Sequence, residues 1–179
     1  MPKVVDHEER RAELAGAVWQ LVIREGIDAA SVRRVAAEAG WSAGSLRHYF
    51  ETRSDLLCFA MELVVLRVSA RVQALGADAE PRALLHQVLP LDEERRAEMQ
   101  VWLAFTMQSL VDPDLGELRD AAHTALRDLC ARAVGEAGAA AESLHALVDG
   151  LALHAVLAPD VTTPERQVEL LDAYLSGVR

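Results

Sequence analysis

Cysteine is nearly absent: Cys58 and Cys130 are the only two in 179 residues. They lie far apart in sequence, and neither has a second Cys or His at metal-ligand spacing, which excludes a disulfide framework and a zinc site. Both fall in apolar helical patterns and read as reduced, buried small hydrophobes. No apolar run approaches the ~20 residues of a membrane span. The start of the chain, Met1 to Glu9, lacks the apolar segment of a signal peptide, so the expected location is the cytoplasm. Catalytic signatures are missing too. The histidines His7, His48, His86, His123, His145 and His154 show no HxxxH or HExxH spacing, and there is no GxSxG, GxxxxGKS, GxxxxGKT or GxGxxG. The expectation is a protein that is not an enzyme, with no metal and no cofactor. Strand-like alternation, internal repeats and long low-complexity linkers are absent as well.

Net positive charge is also lacking, since the formal charge is −10. Its distribution is uneven. Residues 1–55 hold eight Lys/Arg (Lys3, Arg10, Arg11, Arg24, Arg33, Arg34, Arg47, Arg53) against nine Asp/Glu, whereas the remaining 124 residues hold ten against nineteen. Any surface that meets phosphate is therefore built from a few placed arginines near the N-terminus, not from bulk charge.

What is present is helical periodicity. Leu14, Val18, Leu21 and Val22 mark one face of a first helix, which Gly26 stops. A second helix, about 32–39, starts after Ser31 as cap and ends at Gly40. Ser42 caps a third, about 43–49. Thr52-Arg53-Ser54-Asp55 has capping-box spacing and opens a long apolar helix over about 56–75. Pro81 suits the first position of a fifth helix that Pro90 limits, and Asp92 caps a sixth running to Leu110. Helices of about 114–134, 140–157 and 164–176 follow, with Thr163-Pro164 as cap and first position of the last. The fold class is all-α, with eight to ten helices.

The segment from Ser31 to Phe50 reads as helix, Gly-containing turn, helix. Val32, Val35, Ala36 and Ala39 give the first helix an inward face, and Leu46 and Phe50 do so for the second. The small residues Ala36, Ala37, Ala39 and Gly40 favour close approach. A helix-turn-helix of this kind places its second helix in the DNA major groove. The exposed chemistry suits that role. Ser42 and Ser45 bond phosphate or base edges, and Ala43 and Gly44 keep the helix start slim for a phosphate. Arg47 reaches a guanine edge, and His48 and Tyr49 present polar ends. Ser31, Arg33 and Arg34 flank the groove from the preceding helix.

The same run resembles the N-terminal DNA-binding domain of the TetR family of bacterial regulators. The resemblance rests on Ser31, Val35-Ala36, Ala39-Gly40-Trp41-Ser42, Gly44-Ser45-Leu46 and Tyr49-Phe50 in that order, then Arg53, Asp55, Leu56 and Leu57. It covers about residues 8–68. Two positions depart from the family pattern: Ala43 stands where Lys is frequent, and Arg47 where Tyr is frequent. Both alter DNA contacts, not the fold. The resemblance implies a helix-turn-helix domain over 1–55, with Arg53 among its DNA-facing cations, and a ligand-binding and dimerisation domain over 56–179. Trp102-Leu103-Ala104-Phe105, Asp112-Pro113-Asp114-Leu115 and Leu147 to His154 resemble the C-terminal type of regulators related to the BetI repressor.

Three further expectations come with the resemblance. The first is a homodimer paired through the last two helices, by Leu147, Leu151 and His154 on one and Val168, Leu171, Tyr174 and Leu175 on the other. The second is an unidentified small-molecule effector, its pocket lined by some of Leu63, Arg67, Leu85, His86, Met99, Trp102, Phe105, Met107, His123, Leu126 and Cys130. The third is repression of a palindromic double-stranded operator, relieved when the effector shifts the reading helices through helix 56–75. Beyond the first domain only Phe59, Trp102, Phe105 and Tyr174 are available for an aromatic cage, so the sequence does not single out a quaternary ammonium ligand. A helical protein-interaction adaptor without sequence-specific DNA binding is the alternative function.

Overall fold

The computed structural model describes residues 7–76 and 78–177, with the side chains of residues 7–9 and 11 outside that description. The readings of Lys3, of the Arg11 side chain and of the extreme N-terminus therefore lie outside the described residues. Among those described there are nine α-helices and no strand: α1 (His7–Glu25), α2 (Val32–Glu38), α3 (Ala43–Arg47), α4 (Arg53–Ala74), α5 (Pro81–His86), α6 (Glu93–Gln108), α7 (Pro113–Val134), α8 (Ala139–Leu157) and α9 (Pro164–Gly177). A short 3-10 turn, Ile27–Ala29, follows α1 and was not evident in the sequence.

The boundaries follow the expected capping chemistry. Ser31 and Ser42 accept the backbone N–H of Arg34 and Ser45 through their hydroxyls. Thr52 and Asp55 form a reciprocal box: the Thr52 N–H donates to the Asp55 carboxylate at 2.9 Å and the Asp55 N–H to the Thr52 hydroxyl at 3.0 Å. Donation by the Thr52 backbone N–H, aided by the Thr52 side chain, holds the Asp55 carboxyl below its ordinary range. Asp92 accepts the Arg95 N–H at 2.8 Å ahead of α6.

Packing separates the described residues into two compact units, one within Met1–Val64 and Val101–Leu118, the other within Val65–Gln100 and Arg119–Arg179. The sequence reading divides the chain at residue 55 by function. Packing divides it elsewhere because Leu56, Leu57, Ala60, Met61 and Val64 of α4 belong to the first core. That core joins them to Leu14, Val18, Leu21 and Val22 of α1, to Val35, Ala36, Leu46 and Phe50, and to Val101, Phe105 and Leu115. Each fully buried leucine contributes roughly 1.5–3 kcal/mol of transfer free energy. The second unit is cored by Leu84, Leu85, Leu89, Leu129, Cys130, Leu144, Val148, Leu151 and Leu171.

Helix α8 corrects one reading. By length and composition it is apolar enough to cross a membrane. One apolar face packs inside the protein, where Ala141, Leu144, Val148, Leu151, Ala152 and Ala155 are buried, whereas Glu142 and Asp149 are exposed, as are Leu153 and Leu157. Cys58 and Cys130 are both free thiols, but only Cys130 is fully buried. Burial pushes both up to about 11, so neither is a thiolate at neutral pH.

Candidate nucleic-acid interface

The helix-turn-helix is held by three local devices. The first is the turn itself. Gly40 has φ 72°, a left-handed conformation that side chains disfavour. A Cβ there would meet nothing within 4 Å, so glycine is required for its backbone freedom and not for close approach, as the sequence suggested. The N–H of Gly40 donates to the Ala37 carbonyl at 3.2 Å and that of Trp41 to the Ala36 carbonyl at 2.7 Å. This is a Schellman closure, and it fixes Trp41 where the chain leaves the turn.

The second device is the α3 cap. The Ser42 hydroxyl accepts the Ser45 N–H at 3.0 Å and lies 2.8 Å from the Ser45 hydroxyl. Helix α3 ends at Arg47, two residues earlier than expected, because His48 and Tyr49 bond back three residues instead of four. The third is the burial of Leu46 and Phe50, which turns Ser42, Gly44, Ser45, Arg47 and His48 outward. All five are exposed, with Ala43 and Tyr49 half-buried.

The cations proposed for this face divide into two classes. Arg34 reaches Glu25 at 2.6 Å, and Arg24 makes a two-point pair with Glu38 at 2.8 and 2.9 Å. These guanidiniums hold the Glu25 and Glu38 carboxyls below their usual range. Arg53 donates to the carbonyls of Ala30 at 3.0 Å and Ile27 at 2.6 Å, fastening the 3-10 turn just before the Ser31 cap. Arg34, read from sequence as flanking the groove, and Arg53, which the resemblance placed among the DNA-facing cations, are thus engaged inside the domain. Arg33 and Arg47 are exposed and enter no ion pair among the described residues.

Sequence reasoning missed Arg10 and Trp41. They line one open groove together with Glu13, Ser45, His48, Tyr49 and Phe50. The Arg10 guanidinium stands over the Trp41 ring at 5.7 Å from its centroid, and Trp41 meets Tyr49 edge-on, also at 5.7 Å. The signal available was the indole placed directly after the turn glycine.

The effector candidates fall in both units. Leu63, Trp102, Phe105 and Met107 belong to the first; Arg67, His86, Met99, His123, Leu126 and Cys130 belong to the second. Phe105, Leu85 and Cys130 have no accessible surface, so they are core and border no water-filled space, while Met107 is 67% exposed. In the second unit His86 lines a cleft of about 480 Å³ with Glu80, Arg82 and Leu175, and both His86 and Arg82 approach Asp172, at 3.4 and 3.1 Å. His123 and His145 stack edge-to-face at 5.3 Å. Burial lowers the His145 pKa, opposed by Asp149. Arg67 pairs with Glu94 at 2.9 Å.

Of the dimer candidates, Leu151 and Leu171 are inside the core of a single chain and cannot face a partner. Leu147, Val168, Tyr174 and Leu175 are half-buried and His154 is exposed. The Tyr174 hydroxyl donates to the Ala140 carbonyl at 2.8 Å. Leu153, Leu157 and Val161, not anticipated, are large apolar residues left exposed.

Comparison with known proteins agrees with this geometry. The family described as "Bacterial regulatory proteins, tetR family" matches residues 15–58, and that described as "BetI-type transcriptional repressor, C-terminal" matches residues 77–179. The chain is 40% identical to the HTH-type transcriptional regulator PksA of Bacillus subtilis, over 99% of this chain and 94% of that one. It is 33% identical to the HTH-type transcriptional regulator BetI of Pseudomonas fluorescens, over 98% and 95%. A transcriptional regulator from Rhodococcus sp. Rha1 has the same fold with TM-score 0.84 and 34% identity, over 94% and 95%. A capped α3 carried outward beside an N-terminal core, followed by a BetI-type C-terminal half, makes this chain a member of the TetR family of DNA-binding transcriptional regulators.

Proposed function

We propose that the protein is a cytoplasmic, homodimeric repressor that holds a palindromic operator through α3 and lets it go when a small molecule binds. The functional division is a reader over residues 1–55 and an effector-binding and dimerisation region over 56–179. The observation that carries the reading is the outward face of α3, where Ser42, Ser45, Arg47 and His48 are exposed on a helix anchored by buried Leu46. Arg47 supplies base readout; Arg33, Ser45, His48 and Tyr49 supply backbone contacts.

Pairing follows from size. A helix of five residues reads too few base pairs to be selective, and two copies on a two-fold axis read both halves of a palindrome. Exposed Leu153, Leu157 and Val161, with His154 and the accessible parts of Leu147, Val168, Tyr174 and Leu175, support a partner face on the second unit. Release requires an effector that binds the non-reading state more tightly, since equal affinity for both states shifts nothing. Helix α4 is one uninterrupted helix from Arg53 to Ala74 and is the element through which we expect that shift to pass. The cleft at His86 and Arg82 is one place where an effector with both donor and acceptor groups fits.

The test is to sequence the DNA fragments that the purified protein selects, with and without candidate metabolites. An enriched inverted repeat, lost on adding one metabolite, is the expected result. Selection of no sequence at all, or of a motif without internal symmetry, overturns the proposal.

A further inference from the structure

We infer that Arg10 is a DNA-backbone contact delivered from α1, and that Trp41 is the platform that aims it. The inference rests on the reading of α3 as the DNA-facing helix. It adds a residue from a different helix, and it assigns a purpose to an aromatic side chain standing in the turn.

The geometry is a three-part stack. The Arg10 guanidinium lies over the Trp41 indole at 5.7 Å, and the indole is braced edge-to-face by Tyr49 at 5.7 Å and 69°. Trp41 is fixed in turn by its 2.7 Å backbone bond to Ala36. All three side chains line the groove that Ser45 and His48 border on the α3 side. An exposed arginine ordinarily loses rotamer freedom when it grips a phosphate. Stacking on a fixed indole removes part of that loss in advance, and leaves the edge of the planar guanidinium, which carries its N–H donors, free to meet an oxygen anion.

Charge makes the same point. Among the described residues lining this groove, Arg10 is the only permanent cation and Glu13 the only carboxylate. Glu13 lies three residues on, the neighbouring position on the helix surface. With Arg10 present the two offset one another and the groove accepts a phosphate. With Arg10 neutralised, Glu13 is left facing the polyanion. The engagement of Arg34 and Arg53 within the domain raises the share of the remaining grip that falls to Arg10.

The experiment uses the full chain, a duplex carrying its selected operator and an unrelated duplex of equal length, with affinities measured by fluorescence anisotropy across a series of salt concentrations. Arg10→Gln should weaken both duplexes by a similar factor of about 5–10 and reduce the slope of log K against log salt by about 0.9 per bound copy. Arg10→Lys should keep the slope. Trp41→Leu, which leaves the charge but removes the platform, should keep the slope and weaken binding about as much as Arg10→Gln. If Arg10→Gln leaves affinity and slope unchanged, or weakens the operator alone, the inference is overturned, because the residue is then idle or reads a base. Should Trp41→Leu lose its helical circular dichroism, the two Arg10 variants decide alone. Failure of the wild-type chain to bind either duplex in a salt-dependent way sinks the α3 reading itself, a result distinct from failure of the Arg10 variants.

Discussion

The indole N–H of Trp19 donates to the backbone carbonyl of Ala60 at 3.0 Å, a buried bond joining α1 to α4 across 41 residues of sequence. Trp19 is 7% exposed and Ala60 is fully buried. Trp19→Phe keeps most of the ring and removes the donor. It should lower unfolding free energy by about 1–2 kcal/mol, read from the urea midpoint at constant slope. An unchanged midpoint would show that the bond contributes nothing net.

Ser42 offers a way to separate folding from binding. Ser42→Ala removes the oxygen that accepts the Ser45 N–H and should cost about 1 kcal/mol of stability. Ser42→Asp restores a cap but sets a negative charge on the outward face. It should therefore unfold like wild type while losing DNA affinity. Loss of stability in the aspartate variant would place Ser42 in a different local role.

Arg47 and Arg34 should differ sharply. Arg47 is exposed and enters no ion pair among the described residues, whereas Arg34 is held by Glu25 at 2.6 Å. Arg47→Ala should cost on the order of 1–3 kcal/mol of operator binding and relax preference at one base position of each half-site. Arg34→Ala should change affinity much less. Equal losses for the two variants in anisotropy titrations at fixed salt would contradict this assignment.

Glu98 is 3% exposed and is gripped by Arg71 through two bonds of 3.1 and 2.7 Å, with Arg67 at 3.6 Å. Removing the carboxylate leaves the Arg71 guanidinium without its partner, so Glu98→Ala should cost about 3–5 kcal/mol in thermal or urea unfolding. Replacing the pair together, Glu98→Met with Arg71→Met, should recover most of that loss, because the desolvation of two charges disappears with their attraction. A double variant no better than the single one refutes the pairing account.

His145 makes the second unit sensitive to mild acid. Burial lowers its pKa; Asp149 opposes the shift, and His123 and Arg127 reinforce it. The unfolded chain therefore takes up the proton first. Stability from this group is complete above the unfolded value of about 6.5 and falls as pH drops through the lower folded value. The melting temperature should decline as pH is lowered from about 7 through this range, and His145→Gln should flatten that part of the curve. The carboxyls lowered at Glu25, Glu38 and Asp55 act in the same direction, but only below about 4.5, the ordinary carboxylate range.

The sequence made the helices legible because their ends carry local chemistry. Ser31, Ser42, Asp92 and the Thr52–Asp55 box each act within three residues, so spacing alone exposes them. The 3-10 turn at Ile27–Ala29 was not legible, since its clamp is the side chain of Arg53, far along the chain. The same distance hid which arginines are available: Arg34 and Arg33 are neighbours of identical composition, and only the position of Glu25 distinguishes them. Leu151 and Leu171 were read as partner-facing because a helical stripe looks alike whether it meets its own chain or another. The Arg10–Trp41 pair was invisible for the converse reason, since a cation and an indole on separate helices share no period.

Glu38 and Glu25 already hold Arg24 and Arg34, and two backbone carbonyls hold Arg53, so the protein has fewer of the reader's guanidinium groups left with which to cling to arbitrary duplex. It should spend little time on the bulk chromosome, and its occupancy of the correct address should be set by a few directed contacts more than by the ionic condition of the cell.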